Sequence, residues 1–335
     1  MKKIKWIILI QILFLGLFHT SSQASMNFIR ISGSSRYETS VKVSESLYQE
    51  TVDNVVLVSG ENYPDGLTGG VLASVLDGPV LLTGKNSLPL TVENRLRILK
   101  PQNIYILGGN GSITKTVESK VNRYGKVIRI AGRNRYETAE KVANLIYQLP
   151  QGNKKYIGIA NGNNFPDALS AGGYLSNAKI PLLLTSKNQL SPGIPRLLAQ
   201  YNILRSIIIG GEGQVPSAII PQQLSKAYLR GNDRYTTSVK VAEEGFLNTK
   251  RVIITSGEVY PDALAAAPLS NYMDAPILLS GKNQLPQSVI DYIKQNKIEK
   301  IVIVGGKSSL PDEIFEELGI KANQLPSDPE KEPVG

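Results

Sequence analysis

Three arginines stand 99 residues apart, each followed by a tyrosine and a threonine-ended pair: Arg36-Tyr37-Glu38-Thr39, Arg135-Tyr136-Glu137-Thr138 and Arg234-Tyr235-Thr236-Thr237. A guanidinium fork can hold a carboxylate or phosphate through two parallel hydrogen bonds, so arginines repeated at fixed spacing are candidates for anion recognition. Three lysines recur in Thr83-Gly84-Lys85-Asn86, Thr185-Ser186-Lys187-Asn188 and Ser280-Gly281-Lys282-Asn283. Pro64-Asp65, Pro166-Asp167 and Pro261-Asp262 add a carboxylate to each copy. What is missing narrows the chemistry further. The chain has no cysteine and a single histidine, His19. Beyond that residue no Ser-His-Asp triad, Cys-His pair, histidine-ligated zinc or histidine general base can be assembled, and no cofactor is expected. Carboxylate chemistry and oxygen-ligated cations remain.

A period near one hundred residues is too long for a solenoid repeat and suits a small domain. In the first copy, Ile29–Ser32 reads as a strand and Tyr37–Gln49 as a helix, followed by the apolar run Asn54–Val58. A helix opening at Tyr63-Pro64-Asp65 runs to Leu76. Strand Pro79–Thr83, helix Leu90–Leu99, strand Ile104–Leu107 and helix Ile113–Val121 complete the unit. The same stations recur at Tyr156–Ala160, Pro181–Leu184 and Ile207–Ile209, then at Arg251–Thr255, Pro276–Leu279 and Ile301–Val304. Strands apolar along their whole length, alternating with helices, imply a parallel sheet covered on both faces, with right-handed crossovers. The expected fold is α/β, three tandem Rossmann-like or flavodoxin-like domains. Their boundaries are placed at residues 28–126, 127–225 and 226–321.

The ends differ from the repeats. Met1–Ala24 has a basic start at Lys2, Lys3 and Lys5, an apolar stretch from Trp6 to Phe18 and the small-residue signal Ser22-Gln23-Ala24. That pattern predicts a secretory signal peptide; an uncleaved anchor is the other reading of it. Residues 322–335, with Pro326, Pro329 and Pro333 among acids, read as a flexible tail. Lys and Arg total 37 against 28 acids; with three lysines in the leader, the remainder carries +6. Such a balance suits an anionic surface or polymer, or simple solubility. No nucleic-acid partner and no stable membrane insertion are expected.

Ligands of open parallel sheets sit at the carboxyl ends of the strands. Lys85, Lys187 and Lys282 fall there and are expected as polar contacts, with an ordinary solvated loop as the alternative. Arg36, Arg135 and Arg234 open helices, where the positive end of the macrodipole demands a neighbouring anion. That anion is either internal, at Asp65, Asp167 or Asp262, or a ligand phosphate or carboxylate; the internal pair is the expectation. The glycine pairs Gly108-Gly109, Gly210-Gly211 and Gly305-Gly306 follow neither the dinucleotide nor the Walker spacing and are read as tight turns.

The ordered recurrence of Arg-Tyr-Glu/Thr-Thr, Tyr/Phe-Pro-Asp-Gly/Ala-Leu, Pro-Val/Leu/Ile-Leu-Leu and a strand ending in Gly-Gly resembles the cell-wall-binding repeat 2 modules of clostridial and related Gram-positive surface proteins. The resemblance spans about Phe28 to Lys321. It implies a pseudo-threefold trimer of domains within one chain, exported to the cell wall or cell surface. It also implies non-covalent binding of an anionic, teichoic-acid-like secondary wall polymer and no catalysis. The Pro-x-Leu-Leu motif, implicated in anchoring, carries over to Val80, Leu81 and Leu82, to Leu182, Leu183 and Leu184, and to Ile277, Leu278 and Leu279. As residues alone, these read first as buried strands. If three copies close one ring, the chain is expected to be a monomer. Two departures predict unequal sites: Thr236 replaces glutamate in the third copy, and Gly66 stands where Ala168 and Ala263 do in the others. The runner-up is an exported wall hydrolase or carbohydrate-active enzyme using Glu61, Asp65, Glu258 and Asp262, although Asn163 interrupts that set. Behind it comes a self-assembling surface-layer component.

Overall fold

Apolar runs without polar alternation form the inner strands, and Gly, Pro and Asn punctuate them. The computed structural model describes residues 26–319, so the expected signal peptide and the polar tail lie outside the described residues. The first repeat gives β1 (Asn27–Ile31), α1 (Arg36–Leu47) and β2 (Asn54–Ser59). A 3-10 helix at Pro64–Thr68 then leads into α2 (Gly69–Val75), and β3 (Val80–Thr83), α3 (Leu90–Leu99), β4 (Asn103–Leu107) and α4 (Lys115–Val121) follow. The second repeat gives β5 (Lys126–Ile130), α5 (Arg135–Gln148), β6 (Tyr156–Asn161), α6 (Pro166–Asn177), β7 (Leu182–Thr185), α7 (Gly193–Tyr201) and β8 (Arg205–Ile209). The third gives β9 (Ser225–Leu229), α8 (Arg234–Gly245), β10 (Arg251–Ser256), α9 (Pro261–Met273), β11 (Ile277–Ser280), α10 (Gln287–Gln295) and β12 (Lys300–Val304). The closing helix of the first copy has no α-helical counterpart in the others. Short 3-10 turns at Ser217–Ile219 and Asp312–Leu318 replace it. Pro216 and Pro221 bracket the former and leave room for a single turn.

The strands form three four-stranded parallel sheets, ordered β3-β2-β4-β5, β7-β6-β8-β9 and β1-β12-β10-β11. Each sheet therefore takes its last strand from the opening of the next repeat, while the helix after that strand packs on the next sheet. β5 completes the first sheet and β9 the second. The third is completed by β1 from the beginning of the chain, in register from Asn27↔Lys300 to Ile31↔Val304. At this closure Arg30 meets Asp312 at 2.7 Å, both buried. Phe28 and Phe315 pack edge to face with centroids 6.5 Å apart.

Helices α2, α6 and α9 meet around a central axis. Small residues permit the approach: a Cβ added at Gly70 would lie 2.4 Å from Cβ of Ala267. At the helix starts, the rings of Tyr63, Phe165 and Tyr260 form a triangle with centroids 5.4, 5.4 and 5.8 Å apart. Tyr63 Oη donates to the Asn163 carbonyl at 3.0 Å and Tyr260 Oη to the Gly60 carbonyl at 3.3 Å. At the far end Lys179 Nζ donates to the Ser74 carbonyl at 2.7 Å and to Asn271 Oδ1 at 2.9 Å, joining the other two modules. The molecule is an intramolecular trimer with pseudo-threefold symmetry.

Candidate functional site between the modules

The side chain that opens each helix motif caps it. Ser35, Asn134 and Asp233 accept from the backbone N–H of Glu38, Glu137 and Thr236. Glu38 and Glu137 reach back to accept from the N–H of Ser34 and Arg133, at 2.8 and 3.0 Å. Thr236, the odd residue of the three, fills the same place in a capping box, its Oγ1 accepting from Asp233 N–H at 3.0 Å. The departure at 236 is thus absorbed by the helix end.

Arg36, Arg135 and Arg234 lie just inside those caps. Nη1 of each donates to the carbonyl that ends the adjacent strand: Gly60 and Gly162 at 2.6 Å, Gly257 at 2.5 Å. The expected fork between arginine and aspartate is not formed; no ion pair among the described residues includes these arginines. The carboxylates go elsewhere. Gly108, Gly210 and Gly305 have φ of +101°, +103° and +131°, and a Cβ on them would collide with Oδ2 of Asp65, Asp167 and Asp262 at 2.5, 2.5 and 2.9 Å. The first glycine of each pair makes a left-handed turn and clears space for the aspartate. Burial pushes the Asp262 carboxyl up to about 6, opposed by the Thr39 hydroxyl and by the charge of Arg36 across the module boundary. Asp167 is raised in the same way, with Thr237 and Arg234 as its opposing neighbours. Arg36 and Arg234 therefore act on the aspartate of the preceding module.

The Pro-x-Leu-Leu residues occupy β3, β7 and β11. Val80 is 2% exposed, and Leu81, Leu82, Leu182, Leu183, Leu184, Ile277, Leu278 and Leu279 are fully buried. These strands lie at the sheet edges, where α9 of the third module covers β3 and α6 of the second covers β11. Their side chains are packing within and between modules.

Lys85, Lys187 and Lys282 follow those strands and are exposed. The N–H of Lys85 donates to Glu61 Oε1 at 3.2 Å, and that of Lys282 to Glu258 Oε1 at 3.0 Å. The two glutamates shape the lysine loops and leave the ammonium groups without a partner among the described residues.

Lys282 and Arg36 line one cleft of about 310 Å³ between the third and first modules. Ser34, Ser35 and Thr39 share its first-module wall; Glu258, Asp262, Ser308 and Ser309 share the other. The cleft sits over the carboxyl ends of β10 and β12, between the strands where the chain order reverses, as open parallel sheets prescribe. The hydroxyls of Ser308 and Ser309 escaped the reading of the sequence, because the residues after each glycine pair differ between copies. No group of acidic side chains able to hold a metal occurs among the described residues, and no helix there is long and apolar enough to cross a membrane.

Residues 30–118, 129–220 and 229–315 each match cell wall binding domain 2. The chain belongs to the CWB2 family. Its three CWB2 modules are 26% identical over 308 residues to the N-acetylmuramoyl-L-alanine amidase LytC of Bacillus subtilis, covering 91% of this chain and 61% of that protein. The amidase enhancer of the same organism is 30% identical over 289 residues, covering 85% and 39%. Among solved structures, Cwp8 from Clostridium difficile superposes with a TM-score of 0.77 at 26% identity, over 90% of this chain and 53% of its own. Cwp6 gives 0.75 at 27%, over 84% and 46%. The CWB2 chain thus spans about half of its structural relatives. Its family and relatives make it a wall-associated protein.

Proposed function

We propose that the chain is a non-catalytic anchor that attaches to an anionic polymer of the Gram-positive wall through its inter-module faces. The observation that carries this reading is the convergence of Arg36 and Lys282 in a cleft lined with serine hydroxyls. Guanidinium and ammonium groups supply donors for phosphate or carboxylate, and hydroxyls suit sugars. Lys85 and Lys187 occupy the same loop position in the other two modules. Three weak contacts on a repeating polymer multiply through effective concentration. The buried residues of β3, β7 and β11 would act by holding the lysine loops in place. Export and surface location belong to the same reading, as does the teichoic-acid-like character of the polymer.

Sedimentation of the purified protein with Gram-positive walls tests the proposal. Binding is expected to be lost after acid extraction of the secondary polymers and to weaken with salt. Lys282→Ala should weaken binding several-fold, and joint replacement of Lys85, Lys187 and Lys282 by more than tenfold. Undiminished binding to stripped peptidoglycan would sink the polymer reading.

A second reading has its own observation. Asp262, its carboxyl raised by burial, shares the cleft with Glu258, and sugar hydrolysis uses two acids facing one cleft. Solubilisation of wall fragments that disappears in Glu258→Gln would favour it.

A further inference from the structure

Asparagine followed by glycine is a chemically labile pair, because nothing on the glycine obstructs approach of its backbone nitrogen to the asparagine side chain. The chain holds two such pairs, Asn110-Gly111 and Asn161-Gly162. Their surroundings differ. Asn161 ends β6 and is 5% exposed. Its Nδ2 donates to the Gln214 carbonyl at 2.8 Å, and its Oδ1 accepts from the Asn163 N–H at 2.7 Å. The Gly162 N–H donates to the Thr185 carbonyl at 2.9 Å. Electrophile and nucleophile of that pair are both held away from reaction. Asn110 and Gly111 are exposed in the turn between β4 and α4. Neither the Asn110 side chain nor the Gly111 N–H has a hydrogen bond among the described residues, and a Cβ on Gly111 would meet open space. The turn is pinned on either side of them instead, where the N–H groups of Ser112 and Ile113 donate to the Gly109 carbonyl at 2.9 and 3.0 Å.

We infer that Asn110 is a site of self-modification, its side-chain amide replaced by a carboxylate while Asn161 is preserved. The Gly111 nitrogen, its proton taken by hydroxide, attacks Cγ of Asn110. The N–Cγ bond forms and the Cγ–Nδ2 bond breaks. The amide nitrogen takes a proton from water and leaves as ammonia, regenerating hydroxide and closing a cyclic imide. Water then opens the imide at one of its carbonyls, giving aspartate or the isomer whose backbone runs through Cβ. Either product puts a negative charge in a turn stitched to the first lysine loop, where Thr114 N–H and Oγ1 donate to the Lys85 carbonyl at 2.9 and 3.1 Å. The same station after the glycine pair carries an acid in the second repeat, Glu212, and a base in the third, Lys307. Modification moves the first module from neutral to acidic at this place. On the polymer reading above, on which this consequence rests, the new charge opposes an anion at Lys85 and loosens the hold of the first module.

Peptide mapping by mass spectrometry of the full chain, incubated at mildly alkaline pH, tests the modification. The peptide with residue 110 should gain the mass of an amide-to-acid exchange at least about tenfold faster than the peptide with residue 161. In urea, where both pairs are released, the rates should converge. Equal rates in the native protein, no gain at 110, or a difference that survives unfolding overturns the inference. Gly111→Ala adds a methyl group in open space and should slow the gain at 110. An unchanged rate would contradict attack by the Gly111 nitrogen. The consequence at Lys85 is read by sedimenting Asn110→Asp and wild type with Gram-positive walls. The variant should bind about twofold more weakly at low salt and equally at high salt. Equal binding at low salt overturns the effect on Lys85. A wild type that does not bind removes the polymer reading alone, and the mass gain still decides the modification.

Discussion

Asp262 shows how far a single residue can be moved by its place in the fold. Burial raises its carboxyl from 3.8 to about 6, against the pull of Thr39 and Arg36. The native state then holds more protons than the unfolded chain between those values. The contribution to stability is complete below the unfolded value and is lost as pH rises through the folded one. Asp167, raised for the same reason, adds in the same direction. Between pH 4 and 6.5 the wild type should lose on the order of 1–2 kcal/mol relative to Asp262→Asn, measured by urea unfolding; parallel curves would clear Asp262 as the source. Arg135→Ala leaves the Gly162 carbonyl without its donor and should cost about 1–3 kcal/mol. Arg135→Lys, lacking the planar fork, should recover part of that loss. The importance of these arginines was legible from their spacing. Their partner was not, because a backbone carbonyl leaves no residue-type signature and the aspartates offered the more conspicuous anion.

At the scale of elements, the pair Arg30–Asp312 carries more than its counterparts. It is 2% and 7% exposed, whereas Arg129–Glu118 is 17% and 31% exposed. Removing one member of a buried pair strands the other, so Asp312→Ala should destabilise by about 3–5 kcal/mol and Glu118→Ala by about 1 kcal/mol or less, in the same unfolding assay. Similar losses for the two would mean that the closure of β1 on the third repeat gains nothing from its burial. Strand and helix order was readable throughout the first copy, since unbroken apolar runs such as Val55–Val58 and Ile104–Leu107 have few alternatives. The exchange of strands was hidden by the repeat itself. β1, β5 and β9 hold the same place in the repeat, and one pairing with its own module is indistinguishable by pattern from one pairing with the module before. The shortened fourth helix at Ser217 follows from Pro216 and Pro221 on either side of it, and the one at Asp312 ends at the left-handed Gly319. The cleft was half legible: Lys282 and Arg36 were singled out separately, and the ring brings them together.

For the whole molecule, the axis sets what symmetry allows. Phe165 lacks the hydroxyl that Tyr63 and Tyr260 each direct to a carbonyl of a neighbouring module. Phe165→Tyr should add about 0.5–1.5 kcal/mol if the new hydroxyl finds a carbonyl of the third module, and unchanged unfolding would show that it does not. Three modules in one chain close all heterologous faces, so light scattering should give the mass of a single chain; a stable assembly of chains would contradict closure. The exchange of strands has one more consequence. Met26 and Leu318, at the two limits of the described chain, pack against the same apolar cluster. Over the described residues the three modules are therefore laid out like a circle cut in one of three similar places. Joining residue 26 to residue 319 and reopening the chain at the loop between α4 and β5 should give a circular permutant with the same three sheets, in which β5 becomes the terminal strand and the break moves to the boundary of the first and second modules.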